Sequence, residues 1–235
     1  LSMQEGRILI TGASRGLGRG LVERLLAAGV IVSGCSRQAS DLEHPNYTHF
    51  IVDIGDESSV VSMFKEIAAL KMPLTLLINN AGVSQASLGI LTRAANAEDI
   101  IRTNLLGTFF VSREALKLMQ RQKYGRIVNF SSINIPLGSA GSSLYNASKA
   151  GVEAFSNVLA RECGNADITI NTLGLSLVNN SGMLEALGEK AVSAKQSNML
   201  KPKVLEVDEI LHAVNFFASP LARNMTCQTI YFGGL

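Results

Sequence analysis

Arg7-Ile8-Leu9-Ile10-Thr11-Gly12-Ala13-Ser14-Arg15-Gly16-Leu17-Gly18 begins as a short apolar run, breaks into a glycine-rich turn and continues into a segment with helical spacing. An apolar run of this length, ended by glycine, suits a strand buried on both faces of a parallel sheet. Beyond the turn, Leu17, Leu21, Val22, Leu25 and Leu26 fall on one helical face up to Ala28, and Gly29 ends the helix. Strand, glycine turn and helix in this order make the first unit of an α/β fold.

The same alternation runs outward from that unit. Val30–Cys35 and Thr48–Val52 read as strands, Glu57–Leu70 as an amphipathic helix, and Leu74–Ile78 as an apolar strand leading into Asn79-Asn80-Ala81-Gly82. Glu98–Gln122 then reads as a long helix, Arg126–Phe130 as a strand and Tyr145–Cys163 as a helix. Ile168–Leu173, Val207–Ala218 and Thr229–Phe232 follow as strand, helix and strand. Strands that alternate with helices predict crossovers and a mostly parallel sheet with helices on both faces. No linker or repeat divides the chain, so residues 1–235 are expected to form a single doubly wound domain.

Composition agrees with one globular domain of the larger single-core kind. Apolar residues make up 47% of the chain and charged residues 17%, enough to cover an interior sheet and too little charge for a disordered chain. The formal net charge is +2 with no long basic run, which leaves nucleic-acid and polybasic membrane contacts without support. Cys35, Cys163 and Cys227 form no close pair and read as free thiols of a reducing compartment. His44, His49 and His212 show no metal-ligand spacing, and no metal site is expected. Ile127–Ser148 lacks charge but is too rich in Ser, Asn, Gly and Pro to span a bilayer, and no secretory signal is visible, so a cytoplasmic location is expected.

Gly12, Gly16 and Gly18 lie where an α/β sheet receives a pyrophosphate, between the first strand and the helix N-terminus. Their spacing, G-x-x-x-G-x-G, differs from the commoner dinucleotide fingerprint and taken alone is also ordinary turn chemistry. The second strand ends Gly34-Cys35-Ser36-Arg37, with no acidic residue to bind a ribose 2′-hydroxyl. Arg37, with Arg15 in the glycine turn, can flank a 2′-phosphate, which favours NADP(H) over NAD(H). The competing reading is two solvated arginines.

Tyr145 and Lys149 stand one helical turn apart and project from one face. A phenol with a pKa near 10 becomes a usable acid–base group when a nearby ammonium and the positive charge of an oxidised nicotinamide favour the phenolate. Tyr145 can then exchange a proton with a carbonyl or alcohol oxygen, Ser132 can hold that oxygen, and Asn104 can anchor a water linking Lys149 to solvent. A Tyr-x-x-x-Lys pair alone is equally a surface helix pair. Its co-occurrence with the glycine turn and Asn79-Asn80-Ala81-Gly82 argues for a site.

The set Thr11-Gly12-x-x-x-Gly16-x-Gly18, Asp53-Ile54, Asn79-Asn80-Ala81-Gly82, Asn104, Ser132 and Tyr145-Asn146-Ala147-Ser148-Lys149 resembles the short-chain dehydrogenase/reductase superfamily over nearly the whole chain. Within it the chain looks most like the 3-oxoacyl-carrier-protein reductase type. The resemblance implies a seven-stranded Rossmann sheet and a catalytic tetrad of Asn104, Ser132, Tyr145 and Lys149. It implies cofactor contacts from Gly12, Ser14, Arg15, Gly16, Leu17 and Gly18, with Asp53 and Ile54 near the adenine. Asn80, Ala81 and Gly82 would lie beside the adenosine ribose, and Lys149 would bind the nicotinamide ribose. A homodimer or homotetramer packed through the two long helices is implied as well.

Three departures stand out. Gly174-Leu175-Ser176-Leu177 replaces the usual Pro-Gly after the sixth strand, Cys227-Gln228 replaces Gly-Gln, and Phe232-Gly233-Gly234 replaces Asp-Gly-Gly. The first bears on nicotinamide contacts, and the others on a subunit interface. Gly89–Asn96 and Val178–Lys203 are expected to be loops over the substrate, and Ile133, Asn134, Ile135, Leu137 and Leu144 to surround its pocket. The chain thus reads as an oxidoreductase moving hydride between NADP(H) and a ketone or secondary alcohol. An NAD-linked dehydrogenase of the same fold and a non-catalytic dinucleotide sensor are the alternatives.

Overall fold

The computed structural model describes residues 5–85, 87–179, 181–182 and 189–234. Seven strands form one sheet: β1 (Arg7–Thr11), β2 (Ile31–Ser36), β3 (Tyr47–Ile51), β4 (Leu74–Asn79), β5 (Tyr124–Ser132), β6 (Asp167–Leu175) and β7 (Thr229–Tyr231). Their order is β3-β2-β1-β4-β5-β6-β7 and neighbouring strands are parallel. Strand order reverses between β1 and β4, which opens a crevice at the carboxyl ends of the strands.

Alternation along β1 sends Ile8 and Ile10 to one face and Leu9 to the other, and each face has its own core. On the first face α1 (Gly16–Ala27) contributes Leu21 and Leu25, and the last long helix contributes Ile210 and Val214. That helix spans Val207–Ala218 and begins with a reciprocal capping box between Glu206 and Glu209. On the second face α2 (Glu57–Ala69) brings Val60 and Phe64, and α4 (Thr108–Gln122) brings Val111 and Ala115. Asp56 starts α2 by accepting from the Ser58 and Ser59 amides. The 20-residue α6 (Ser143–Glu162) closes this face with Ala160.

Most expected elements appear with ends moved by one or two residues, where helices fray and strands lengthen against neighbours. The helix expected over Glu98–Gln122 is different. It starts earlier, as α3 (Ala94–Ile100), widens into π-type turns over Ile101–Gly107, and only then runs on as α4. Gly107 packs against Ile54 and Leu105 against Gly151 of α6, so the widened turns meet both the sheet edge and the neighbouring helix. The two expected substrate loops also contain regular structure. Gly89–Leu91 is a 3₁₀ turn ahead of α3 and α7 covers Glu189–Gln196, while α5 (Asn134–Leu137), outside both loops, follows β5. Asn180 and residues 183–188 of the Val178–Lys203 segment lie outside the described residues. With α7 counted, the Val207–Ala218 helix is α8. No helix among the described residues is long and apolar enough to cross a membrane, and no group of three His, Cys, Asp or Glu there could hold a metal ion.

Candidate active site

A cleft of about 830 Å³ opens along the carboxyl ends of the strands. Gly12, Ser14, Arg15, Gly16, Leu17 and Gly18 line one end, with Arg37, Asp53 and Ile54 beside them. Asn80, Ala81 and Gly82 line its middle, and Ser132, Tyr145 and Lys149 its other end. Of the expected site residues only Asn104 stays off the cleft wall, being wholly buried.

The glycine end is made by backbone shape. Gly12 has φ +70, and a Cβ there would press to 2.9 Å from the Ala81 Cα. A Cβ at Gly18 would overlap the Gly12 carbonyl oxygen. Asn80 reinforces the turn: its Nδ2 donates to the Thr11 carbonyl at 2.8 Å and the Gly12 carbonyl at 3.2 Å. In return the Asn80 and Ala81 amides donate to Thr11 Oγ1 at 3.1 and 3.0 Å. The α1 N-terminus carries no side-chain cap and no acidic residue in its first turn, so its leading amides face the cleft end unneutralised. Arg15 and Arg37 are exposed nearby. Burial raises the Asp53 carboxyl, but its bonds to Arg102 at 2.9 Å and the Gly55 amide at 2.9 Å, and the charges of Arg102 and Arg37, prevail and hold it below its ordinary range. A cradle that any Cβ would fill, free helix amides, two guanidiniums and no carboxylate at the end of β2 fit a dinucleotide carrying an extra phosphate.

The other end is made by side chains from distant elements. Lys149 Nζ is buried, donates to the Phe130 carbonyl at 2.8 Å and lies 6.0 Å from the centre of the Tyr145 ring. Burial lowers its pKa to about 8. Burial pushes the Tyr145 phenol up, with the Ser132 hydroxyl opposing it. The expected lowering of Tyr145 draws on Lys149 together with the charge of an oxidised nicotinamide, and the protein's own surroundings act the other way through desolvation. Ser132 Oγ accepts from the Asn134 amide at 3.2 Å, which leaves its own proton to donate. Asn104 Nδ2 donates to the Val83 carbonyl at 2.8 Å and Ser148 Oγ at 3.1 Å, and its Oδ1 accepts from the Val83 amide at 2.8 Å. Its side chain thus clamps the chain just past Gly82, and the expected anchoring of a water falls to whatever capacity that clamp leaves.

Gln85 was not anticipated. Its Oε1 accepts from the amides of Leu144 and Tyr145 at 2.9 and 3.2 Å, capping α6 from the loop that follows β4. Ser142, at the N-cap position, provides no side-chain cap itself. Gln85 Nε2 donates to the Ser87 carbonyl at 3.0 Å and Thr92 Oγ1 at 2.9 Å. All four amide capacities are spent, and the start of the tyrosine helix is tied to the cleft rim. The bonds join residues up to 60 positions apart, so no local spacing signals them.

Two of the departures have a local structural account. Gly174 leaves room for the Tyr231 ring, which a Cβ would overlap. The Tyr231 hydroxyl donates to both Glu153 oxygens at 2.9 and 2.8 Å, and Ser131 Oγ donates to the same carboxylate at 2.5 Å. Burial and Glu153 together push the Tyr231 phenol up. Cys227 holds φ 60, a left-handed backbone that glycine adopts freely. Of the expected pocket residues Ile133 and Asn134 line the cleft, joined by Leu177 and Met199, whereas Ile135, Leu137 and Leu144 stand off it.

The family model for short chain dehydrogenase matches residues 7–192. The chain belongs to the short-chain dehydrogenase family. The 3-oxoacyl-(acyl-carrier-protein) reductase FabG of Vibrio harveyi is 32% identical to this short-chain dehydrogenase over 237 residues, spanning 98% of this chain and 97% of the relative. The same enzyme from Escherichia coli strain K12 is 32% identical over equal shares. Among solved structures, ElxO with NADP bound matches with TM-score 0.87 at 26% identity over 97% of each chain. A tyrosine-to-phenylalanine variant of ElxO with NADPH bound matches with TM-score 0.85 at 25% identity, again over 97% of each.

Proposed function

We propose that the protein is an NADP(H)-dependent oxidoreductase that reduces a ketone to a secondary alcohol within a single domain. The observation that carries the reading is one cleft lined at one end by the Gly12–Gly18 turn and Arg37 and at the other by Ser132, Tyr145 and Lys149. Gly12, Ser14, Arg15, Gly16, Leu17 and Gly18 hold the pyrophosphate, Arg37 with Arg15 the 2′-phosphate, and Asp53 and Ile54 border the adenine. Asn80, Ala81 and Gly82 back the adenosine ribose, and Lys149 grips the nicotinamide ribose. When bound, the reduced cofactor supplies hydride to the carbonyl carbon.

Ser132 donates its free proton to the carbonyl oxygen and orients it. Tyr145 gives that oxygen its proton as charge develops. Burial favours the protonated form of the Tyr145 phenol, which is the form that acts as the acid in reduction. The opposite direction needs phenolate, which an additional positive charge in the site favours. Lys149 carries the proton path inward, and Asn104 positions the wall beside it by holding Val83. The absence of a carboxylate at the end of β2 is what disfavours the NAD-linked alternative.

The FabG relatives direct the first test to 3-oxoacyl thioesters, followed by a wider panel of ketones. NADPH consumption with any of them, abolished in Tyr145→Phe, is the expected result. NADPH binding with no turnover across the panel would leave a dinucleotide sensor instead. A cytoplasmic location and a homodimer or homotetramer belong to the same proposal. The exposed Leu106 and Val158, on the two long helical segments, support the assembly, and sedimentation of the full chain tests it.

A further inference from the structure

His49 lies on β3 directly behind the turn that carries Arg37. Its Nε2 is 3.0 Å from the Gln38 carbonyl oxygen and 3.0 Å from Ser36 Oγ, and its Nδ1 is 2.7 Å from the Tyr47 hydroxyl. A carbonyl only accepts, so Nε2 bears the proton and shares it with Ser36, while Nδ1 accepts from Tyr47. Burial lowers the imidazole below its usual range, against the raising effect of the Gln38 carbonyl, and the neutral tautomer fits both contacts. Ser36 Oγ also donates to the Gln38 carbonyl at 2.7 Å. The residues on both sides of Arg37 are therefore fastened to one ring.

The ring itself is fixed from behind. The Tyr47 hydroxyl occupies the space that Gly34 leaves open, where a Cβ would overlap it, and the two rings meet at 5.9 Å between centroids. Arg37 is exposed and makes no ion pair among the described residues. Its side chain is free to meet a ligand while its backbone is held.

We infer that His49 is a positioning residue for cofactor selectivity: through Ser36 and Gln38 it fixes the turn that presents Arg37 to a phosphate on the 2′ position of the adenosine ribose. This rests on the NADP(H) reading above. The 2′-phosphate is the only group that separates the two dinucleotides, so a loosened turn weakens one of them and spares the other. Losing the preorganisation of one long side chain is worth up to about tenfold in affinity.

The test is titration of NADPH and NADH against wild type, Arg37→Ala, His49→Phe, His49→Gln and Tyr47→Phe. Wild type binds NADPH more tightly, and Arg37→Ala removes most of that preference. His49→Phe keeps a ring of similar size without the donor, and is expected to weaken NADPH about five- to tenfold with NADH changed less than about twofold. His49→Gln restores a donor towards the Gln38 carbonyl and recovers part of the ratio. Equal weakening of both dinucleotides, which a merely structural role would give, or an unchanged ratio overturns the inference. A collapsed ratio in Arg37→Ala with an intact one in His49→Phe rejects His49 alone. A wild type without NADPH preference rejects the cofactor reading first. Should His49→Phe not fold, Tyr47→Phe decides: it frees the far side of the ring, and a ratio equal to wild type there sinks the proposal.

Discussion

The two ends of the cleft are built from different materials. At the glycine end the shape of the main chain does the work, with Gly12 and Gly18 pressed against neighbouring backbone and Asn80 tying that backbone down. At the other end Ser132, Tyr145 and Lys149 come from β5 and α6, with Gln85 capping α6 and Asn104 bonded to Ser148 of the same helix. The first end tolerates no added atom, and the second no lost one. Substitutions that add or remove a few atoms should therefore separate binding from turnover.

The largest expected effect is Tyr145→Phe, which deletes one oxygen. Turnover should fall about 10²–10⁴-fold, the range for loss of a positioned proton donor, while dinucleotide affinity stays near wild type. Steady-state rates and a fluorescence titration check it, and a parallel loss of affinity would erase the separation of the two ends.

Next is Lys149→Met, read as stability against pH. The folded lysine titrates at about 8, well below the ordinary unfolded value near 10.4. Between those two values the unfolded chain binds the extra proton, so stability rises with pH across that window, and below it the full burial penalty remains. Denaturant midpoints should show wild type gaining on the variant from about pH 8 upwards, by at most about 3 kcal/mol. Parallel curves would mean that Lys149 is solvated.

Gly18→Ala adds a single carbon that collides with the Gly12 carbonyl. Overpacking of this kind costs about 1–3 kcal/mol, and the shifted turn should weaken dinucleotide binding more than it lowers kcat at saturating cofactor. Calorimetry beside kinetics reads both. Smallest is Gln85→Ala, which uncaps α6 for about 1 kcal/mol. It should lower kcat about tenfold with cofactor affinity unchanged, since tenfold corresponds to the same small energy spent on misaligning Tyr145.

The sequence revealed what is local. Strand β1, its glycine turn and α1 follow one another, so spacing alone places them, and the expected bounds of α8, Val207–Ala218, are those observed. Most site residues on the cleft wall were legible because they sit in short motifs, and Ser132 and Arg37 because of where they fall relative to strand ends. What escaped depends on partners far away in the chain. The wide turns over Ile101–Gly107 leave the apolar spacing of a long helix uninterrupted, so periodicity runs straight through them into α4. Gln85 looks like any loop glutamine until α6 folds back against it, and His49 like any strand histidine until the Arg37 turn closes over it. The departure at Gly174 makes sense only beside the Tyr231 ring, packed across β6 and β7.

Gln85 has no unused hydrogen-bonding valence, and that bears on how the enzyme can be altered. Asparagine falls a methylene short, glutamate brings no donor, and every other residue surrenders at least two partners at once. Such a position is a poor place to begin a laboratory evolution campaign aimed at new substrates. The exposed Leu88 and Ile90, a few residues further along the chain, offer diversity without disturbing the tyrosine, so a mutational library concentrated there should retain a larger share of active clones.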